Sequence, residues 1–489
     1  MERSIVPEAS GQVQEPEVCH PGPMDRASRD WTDDPAASAP AEFAGWLPVF
    51  QKFGNGGLHL QFGHTDSPPG GDKFVRAGPP EQTAPAAPSL RQKLNAGIGR
   101  TVRGFLFLVR LHLALVKHAI QQGPTRSGKV LWAALRLFFT LLWGGARLVP
   151  VLRFLHSRDF ASQVQLPRRS GLVFLTSVPY TYGQDPWVIE IEDSISLFNP
   201  FLHNGQTSKL KIADFPYRPI LRKLLEADNC RGIITHVRST AESLPTLFDS
   251  EIIGEKTSYL PLGVKLPEHW QQHQDEEYLD LVFTCSWHQY PESFYLRGGL
   301  EVLDAFDVLR EWYPQLRLTL RTGLPRLSNR YHRILEKGWV RIVNRYLPPK
   351  EMDALLRKSH VFLLPAARIH VVSLLRAMAF GQVVVASDGW GIEEYIAHER
   401  NGLIVKGRYG KVSWMDEKTG LLREDYRPMH RSDLVVVQGL VEAISRVAED
   451  RNLRRRLGRQ ARRDVETTYS LENWNRGLQA ALDKARGMT

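Results

Sequence analysis

The 489-residue chain reads as an α/β protein made of two Rossmann-like, doubly wound domains that face each other across a cleft. Three observations predict this. From Ser170 onward, short β-branched or Leu-rich runs alternate with amphipathic stretches, the pattern of parallel strands joined by helices. The alternation comes in two blocks separated near residue 266. The length suits two to three domains, and 43% hydrophobic with 24% charged residues is a globular balance that excludes a mostly disordered chain.

Taken in order, residues 1–41 are rich in Pro, Ala, Ser and Asp and carry no apolar leader core, so a disordered tail without a secretory signal is expected. Order should begin near Phe43-Ala-Gly-Trp46 and open an amino-terminal domain over 42–265. A glycine-rich piece from Phe53 to His64 follows, and Ala77 to Ser89 is again rich in Pro and Ala. Leu172 to Val178, Trp187 to Ile191 and Arg231 to Thr235 read as buried strands, with helices at Pro216 to Ala227 and Ser239 to Phe248. The second domain, 266–470, has strands at Leu279 to Cys285, Leu316 to Leu320, Val361 to Leu364 and Val383 to Ala386. Its helices are expected at Gly298 to Trp312, where Leu300, Leu303, Phe306 and Leu309 form a stripe able to cover a sheet, and near Val371 to Phe380. Leu434 to Ala485 reads as three helices, with 471–489 as a closing helix.

The net charge is +10, which points to an anionic partner. Between Ser89 and Ser170 there are fourteen Lys or Arg against one acid, Asp159. Two apolar stretches, one from Gly104 to Ile120 and one from Val130 to Ala146, lie inside this basic zone and are interrupted by charge. Neither supplies the ~18 apolar residues that a membrane span needs. Two readings fit residues 101–155: helices lying in an anionic bilayer surface, or core-facing helices with basic outer faces. No nucleic-acid module accompanies the charge, so no nucleic-acid partner is expected. Cys19, Cys230 and Cys285 form no CxxC pair, which excludes a disulfide scaffold and a cysteine zinc site and fits a cytoplasmic protein, at the inner membrane face on the bilayer reading.

Ligands of facing doubly wound domains bind at the carboxyl ends of the strands. Arg297-Gly-Gly299 opens a helix there: paired glycines let backbone N–H groups approach an anion, and Arg297 adds charge and a forked donor set. Leu363-Leu-Pro is followed by Arg368, His370, Ser373, Arg376-Ala-Met-Ala and Gly381, then by Ser387-Asp388-Gly-Trp-Gly391-Ile-Glu393-Glu394 and Asn401-Gly-Leu-Ile-Val405. This run resembles the donor domain of the GT-B retaining glycosyltransferases of glycosyltransferase family 4, whose pattern is Glu-x7-Glu-Ala-Met-Ala-x-Gly, Ser/Thr-Asp, Gly-Gly-x-x-Glu and Asn-Gly-Leu-Leu-Val. Arg297-Gly-Gly-Leu-Glu and the closing helix from Arg451 are similar to the same family, over roughly 230–480.

The resemblance implies a GT-B enzyme that moves a sugar from a nucleotide-sugar donor to a glycan, lipid or other acceptor with retention, using no metal or other cofactor. The family's two glutamates fall on Arg368 and Arg376, which takes the catalytic positions with Arg-x7-Arg. Arginine has five donors and no acceptor, so it cannot receive ribose hydroxyls as a carboxylate does; it favours an anionic group instead. Arg297, Gly298, Gly299, Ser373, Glu393 and Glu394 are expected at the donor, with Glu394 between the two arginines. His59, His64, Glu192 and Asp193 are the acceptor-side candidates, and His236 ends a strand nearby. A catalytically silent protein of the same fold, binding a glycan or nucleotide, is the alternative.

Overall fold

The computed structural model describes residues 42–46, 73–77, 124–158, 172–202, 207, 210–271, 277–285, 292–345, 347–409, 413–415, 422–424 and 426–487, all within one compact unit spanning Pro40–Thr489. The expected tail, His59, His64 and the Gly104 to Ile120 stretch lie outside the described residues.

The first sheet contains β1 (Glu42–Trp46), β2 (Lys73–Ala77), β3 (Leu172–Thr176), β4 (Trp187–Ile191), β5 (Cys230–Thr235) and β6 (Thr257–Tyr259). Its order is β2-β1-β3-β4-β5-β6, with every pair parallel. Two helices, α1 (Pro124–Trp143) and α2 (Leu148–Ser157), precede β3. Val130, Leu141, Val151 and Phe154 turn inward from them and are buried. The helices α3 (Arg218–Glu226), α4 (Arg238–Phe248) and α5 (Glu251–Lys256) connect the later strands. β3 and β4 are buried along their whole length, as parallel strands covered on both faces should be. The strand expected to run to Val178 stops at Thr176, because Ser177 turns into the left-handed region at φ 63°.

The second sheet contains β7 (Leu279–Thr284), β8 (Leu316–Arg321), β9 (Val340–Ile342), β10 (Val361–Leu364), β11 (Val383–Ser387) and β12 (Gly402–Val405), all parallel in the order β12-β11-β10-β7-β8-β9. A short α6 (Glu292–Leu296) leads into α7 (Gly299–Trp312), followed by α8 (Asn329–Glu336), α9 (Pro349–Lys358) and α10 (Val371–Ala379). An antiparallel pair, β13 (Ser413–Met415) with β14 (Leu422–Glu424), interrupts the chain before three closing helices: α11 (Leu434–Glu449), α12 (Arg451–Thr467) and α13 (Leu471–Arg486). Leu300, Leu303, Phe306 and Leu309 of α7 pack with Leu440 and Ile444 of α11 on one face. Leu374, Leu375 and Met378 of α10 pack with Ala461 and Val465 of α12 on the other. Helices on both faces of each parallel sheet give the two doubly wound halves that the alternation predicts.

α13 leaves the second sheet and returns to the first. Val264 and Ser470 form a parallel bridge, and Trp474, Leu478 and Leu482 are buried in the first sheet's core. A Cβ on Gly263 would lie 2.1 Å from the Ser470 carbonyl oxygen, so only glycine allows this crossing.

Candidate active site

The carboxyl ends of both sheets meet, and charged side chains collect there. On the second sheet, Arg297 precedes α7, Arg321 ends β8, and Arg368 follows β10. The Arg297 guanidinium donates to the Thr284 carbonyl at 2.9 Å and to Ser373 Oγ at 3.4 Å, which ties the end of β7 to the first turn of α10. It is only 3% exposed. Burial pulls its pKa down to about 10; Arg321 and Arg368 act in the same direction, while Cys285 and Glu192 oppose them. Three guanidinium groups and the Glu192 carboxylate therefore share one neighbourhood. Arg321 also donates to the Cys285 carbonyl. Arg368 is set by a zipper in which Ile369 N–H donates to the Trp390 carbonyl and Trp390 N–H to the Ala367 carbonyl. A Cβ on Gly389 would come within 2.4 Å of the Ala366 carbonyl oxygen, so the close approach requires glycine.

On the first sheet, Glu190 and Glu192 flank His236. The imidazole Nδ1 lies 3.1 Å from Glu190, its Nε2 lies 3.5 Å from Glu192, and the ring is fully buried. Burial alone would depress the imidazole, but hydrogen bonds and charge from both glutamates outweigh it and hold the pKa at about 9. His236 is thus an imidazolium between two carboxylates. Asp193 reaches across the cleft, accepting from Arg368 at 2.7 Å, and its other oxygen caps a 3-10 turn at Ser196 N–H.

The two arginines of the Arg-x7-Arg run separate. Arg368 enters the crevice, whereas Arg376 turns to α9 and pairs with Asp353. Glu394 does not lie between them. Its carboxylate accepts from the Arg238 N–H at 2.5 Å and from Ser239 N–H and Oγ at 3.1 and 2.7 Å, capping α4 of the first sheet. The carboxylate that meets Arg368 is Asp193. Glu393 is exposed and pairs with Lys406 at 3.3 Å.

The glycine pair serves packing: Gly298 sits at φ 81° with its Cβ position 2.4 Å from the Pro365 carbonyl oxygen, and Gly299 lies against the Phe294 ring. The Gly298 N–H already donates to the Tyr295 carbonyl. Arg408, after β12, is fully buried 2.7 Å from the buried Glu301 of α7.

Sequence reasoning missed Arg321, Asp353 and Glu190. Arg321 ends a strand whose neighbour feeds the Arg297-Gly-Gly turn, and that position was the available signal. Glu190 in β4 and Glu192 just past its end point the same way by alternation, but only the fold places His236 between them.

No curated protein matches the chain. Among solved structures, it is similar to Anabaena HepE crystallised with UDP, at 13% identity and TM-score 0.44, covering 64% of this chain and 78% of that one. It is also similar to sucrose-phosphate synthase from Thermosynechococcus elongatus, at 16% identity and TM-score 0.44, covering 72% and 80%. A glycosyltransferase from Rickettsia africae is similar at 10% identity and TM-score 0.43, covering 64% and 76%. The family model described as Glycosyl transferases group 1 matches residues 295–422, the stretch that supplies Arg297, Arg321 and Arg368 to the crevice.

Proposed function

We propose that the chain is a glycosyltransferase that moves a sugar from a nucleotide-sugar donor to a glycan or lipid-linked acceptor with retention. The observation that carries this is the convergence of three arginines at the carboxyl edge of the second sheet, inside the matched segment: Arg297 and Arg321 donate to the consecutive carbonyls of Thr284 and Cys285, and Arg368 follows the neighbouring strand β10. These cations suit a diphosphate that gains charge as it leaves, and burial strengthens the interaction. In the reaction the bond from the anomeric carbon to the diphosphate oxygen breaks. The acceptor oxygen bonds that carbon on the same face, and the acceptor proton passes to the departing phosphate oxygen. No metal or cofactor enters this scheme.

Arg376 cannot accept ribose hydroxyls, but Asp353, which it holds, can. Asp353 is 38% exposed and takes the ribose role in this reading. Glu192, 17% exposed and fixed beside His236, faces the acceptor hydroxyl. Ser373 helps orient Arg297.

One observation favours a second reading. Arg368 already has Asp193 and Arg376 already has Asp353, an arrangement suited to a silent protein that binds a nucleotide or glycan without turnover. Incubation with a panel of nucleotide sugars and candidate acceptors, followed by mass spectrometry for released nucleoside diphosphate and glycosylated product, separates the two. Product identifies the transferase. Nucleotide or glycan binding by calorimetry without product identifies the silent protein, and no binding of any nucleotide or glycan overturns both.

A further inference from the structure

We propose that the outer face of the α1–α2 hairpin docks on an anionic lipid bilayer, independently of whether sugar is transferred. α1 is apolar on two opposite sides. Its inner side, with Val130, Ala133, Ala134, Leu137 and Leu141, packs on Leu155, Tyr182 and the first sheet's core. Its outer side carries Trp132, Phe139 and Trp143 at helical spacing, 69%, 48% and 87% exposed, with Leu135 beside them. The Phe139 and Trp143 rings lie 5.9 Å apart along the stripe. After the turn, Leu148 and Val149 of α2 extend the exposed apolar surface.

Chemistry selects the occupant. Residues 124–158 contain six Lys or Arg and no Asp or Glu. Arg136, Arg147 and Arg153 are exposed on the hairpin that carries the aromatic stripe, while Lys129 pairs with Asp185 at 2.6 Å. Trp side chains favour the level of lipid headgroups, where the ring is half apolar and half wet, and cations beside them meet lipid phosphates. A second copy of the same face would set this uniform positive charge against itself, which disfavours a self-paired interface. Among the described residues no helix is long and apolar enough to cross a membrane, so the hairpin lies on the surface with its aromatic side inserted to headgroup depth.

The test is co-sedimentation of the full chain with phosphatidylglycerol–phosphatidylcholine vesicles, compared with phosphatidylcholine vesicles alone. Binding should require the anionic lipid and fall with added salt. The double variant Arg136→Glu/Arg147→Glu, at exposed positions that the core does not use, should lower the vesicle partition coefficient by roughly 10- to 30-fold. Trp132→Ser/Trp143→Ser should weaken binding to the anionic vesicles, while Trp312→Ser, an exposed tryptophan on α7, should leave it unchanged. Absence of binding to anionic vesicles overturns the proposal, as does equal binding by the wild type and both hairpin variants. A wild-type oligomer that dissociates to monomer in the Trp132→Ser/Trp143→Ser variant, measured by sedimentation velocity, assigns the face to protein association and overturns it too.

Discussion

His236 should make the protein lose stability as pH rises, and the size of the loss follows from its surroundings. In the folded chain the imidazole is buried between Glu190 and Glu192, and its pKa stands at about 9 against an ordinary value of 6.5. The folded state therefore binds the proton more tightly than the unfolded state. Below 6.5 both states hold the proton and the full contribution is present. From there upward the unfolded chain releases it first, and stability falls until the folded imidazole has also titrated, near 9. A rise from 6.5 to about 9 corresponds to about 3 kcal/mol. The assay is urea unfolding of wild type and His236→Gln, followed by tryptophan fluorescence at pH steps from below 6.5 to above 9. The variant is less stable in acid, since the buried Glu190 and the partly buried Glu192 are left without their cation, but its curve should stay flat where the wild type falls. Taking the difference between the two curves removes the Lys, Tyr and Cys titrations they share. Parallel curves through this window would refute the imidazolium assignment.

Three further outcomes are expected. Asp353→Asn should lower affinity for a ribonucleoside diphosphate by about 1 kcal/mol, the usual worth of one hydrogen bond; calorimetry should show no such loss with the 2′,3′-dideoxy analogue, and an equal loss with both would remove Asp353 from the ribose. Glu394→Gln weakens the charged cap on α4 and should lower stability by about 1 kcal/mol with faster proteolysis between the two sheets, so an unchanged melting temperature and digestion pattern would count against this cap joining the sheets. Gly298→Ala must hold φ 81° with a Cβ 2.4 Å from the Pro365 oxygen, and a penalty above about 2 kcal/mol is expected by thermal unfolding.

The two sheets were legible because parallel strands buried on both faces leave continuous apolar runs. Trp187–Ile191 and Val361–Leu364 emerge with the bounds the pattern predicts. Arg368 was legible as a crevice residue because it follows the end of β10, and Arg297 because it opens α7 with a glycine pair. The pairing of charges was not legible. Asp193 and Arg368 are 175 positions apart and meet only when the sheets face each other. By sequence alone Glu394 is a candidate ligand for the arginines near it in the chain. The 3-10 turn after Gly391, at φ 78°, carries it to a helix terminus of the other sheet, where unpaired backbone N–H groups outcompete side chains. Arg376 followed its helix toward α9, a direction that spacing alone does not fix.

The return of α13 to the first sheet also orders events during synthesis. Strands β3 to β6 leave the ribosome long before residues 471–486, yet Trp474, Leu478 and Leu482 belong to their core. The amino-terminal half must therefore wait, with one apolar face uncovered, while the whole second sheet is translated and folds. Folding of the two halves is not vectorial: the half made first is finished last. A nascent chain stalled after Ser470 should expose that face to a chaperone or protease, and one released after Arg486 should close it. Uniform protection of both nascent chains would show that the first sheet seals without α13.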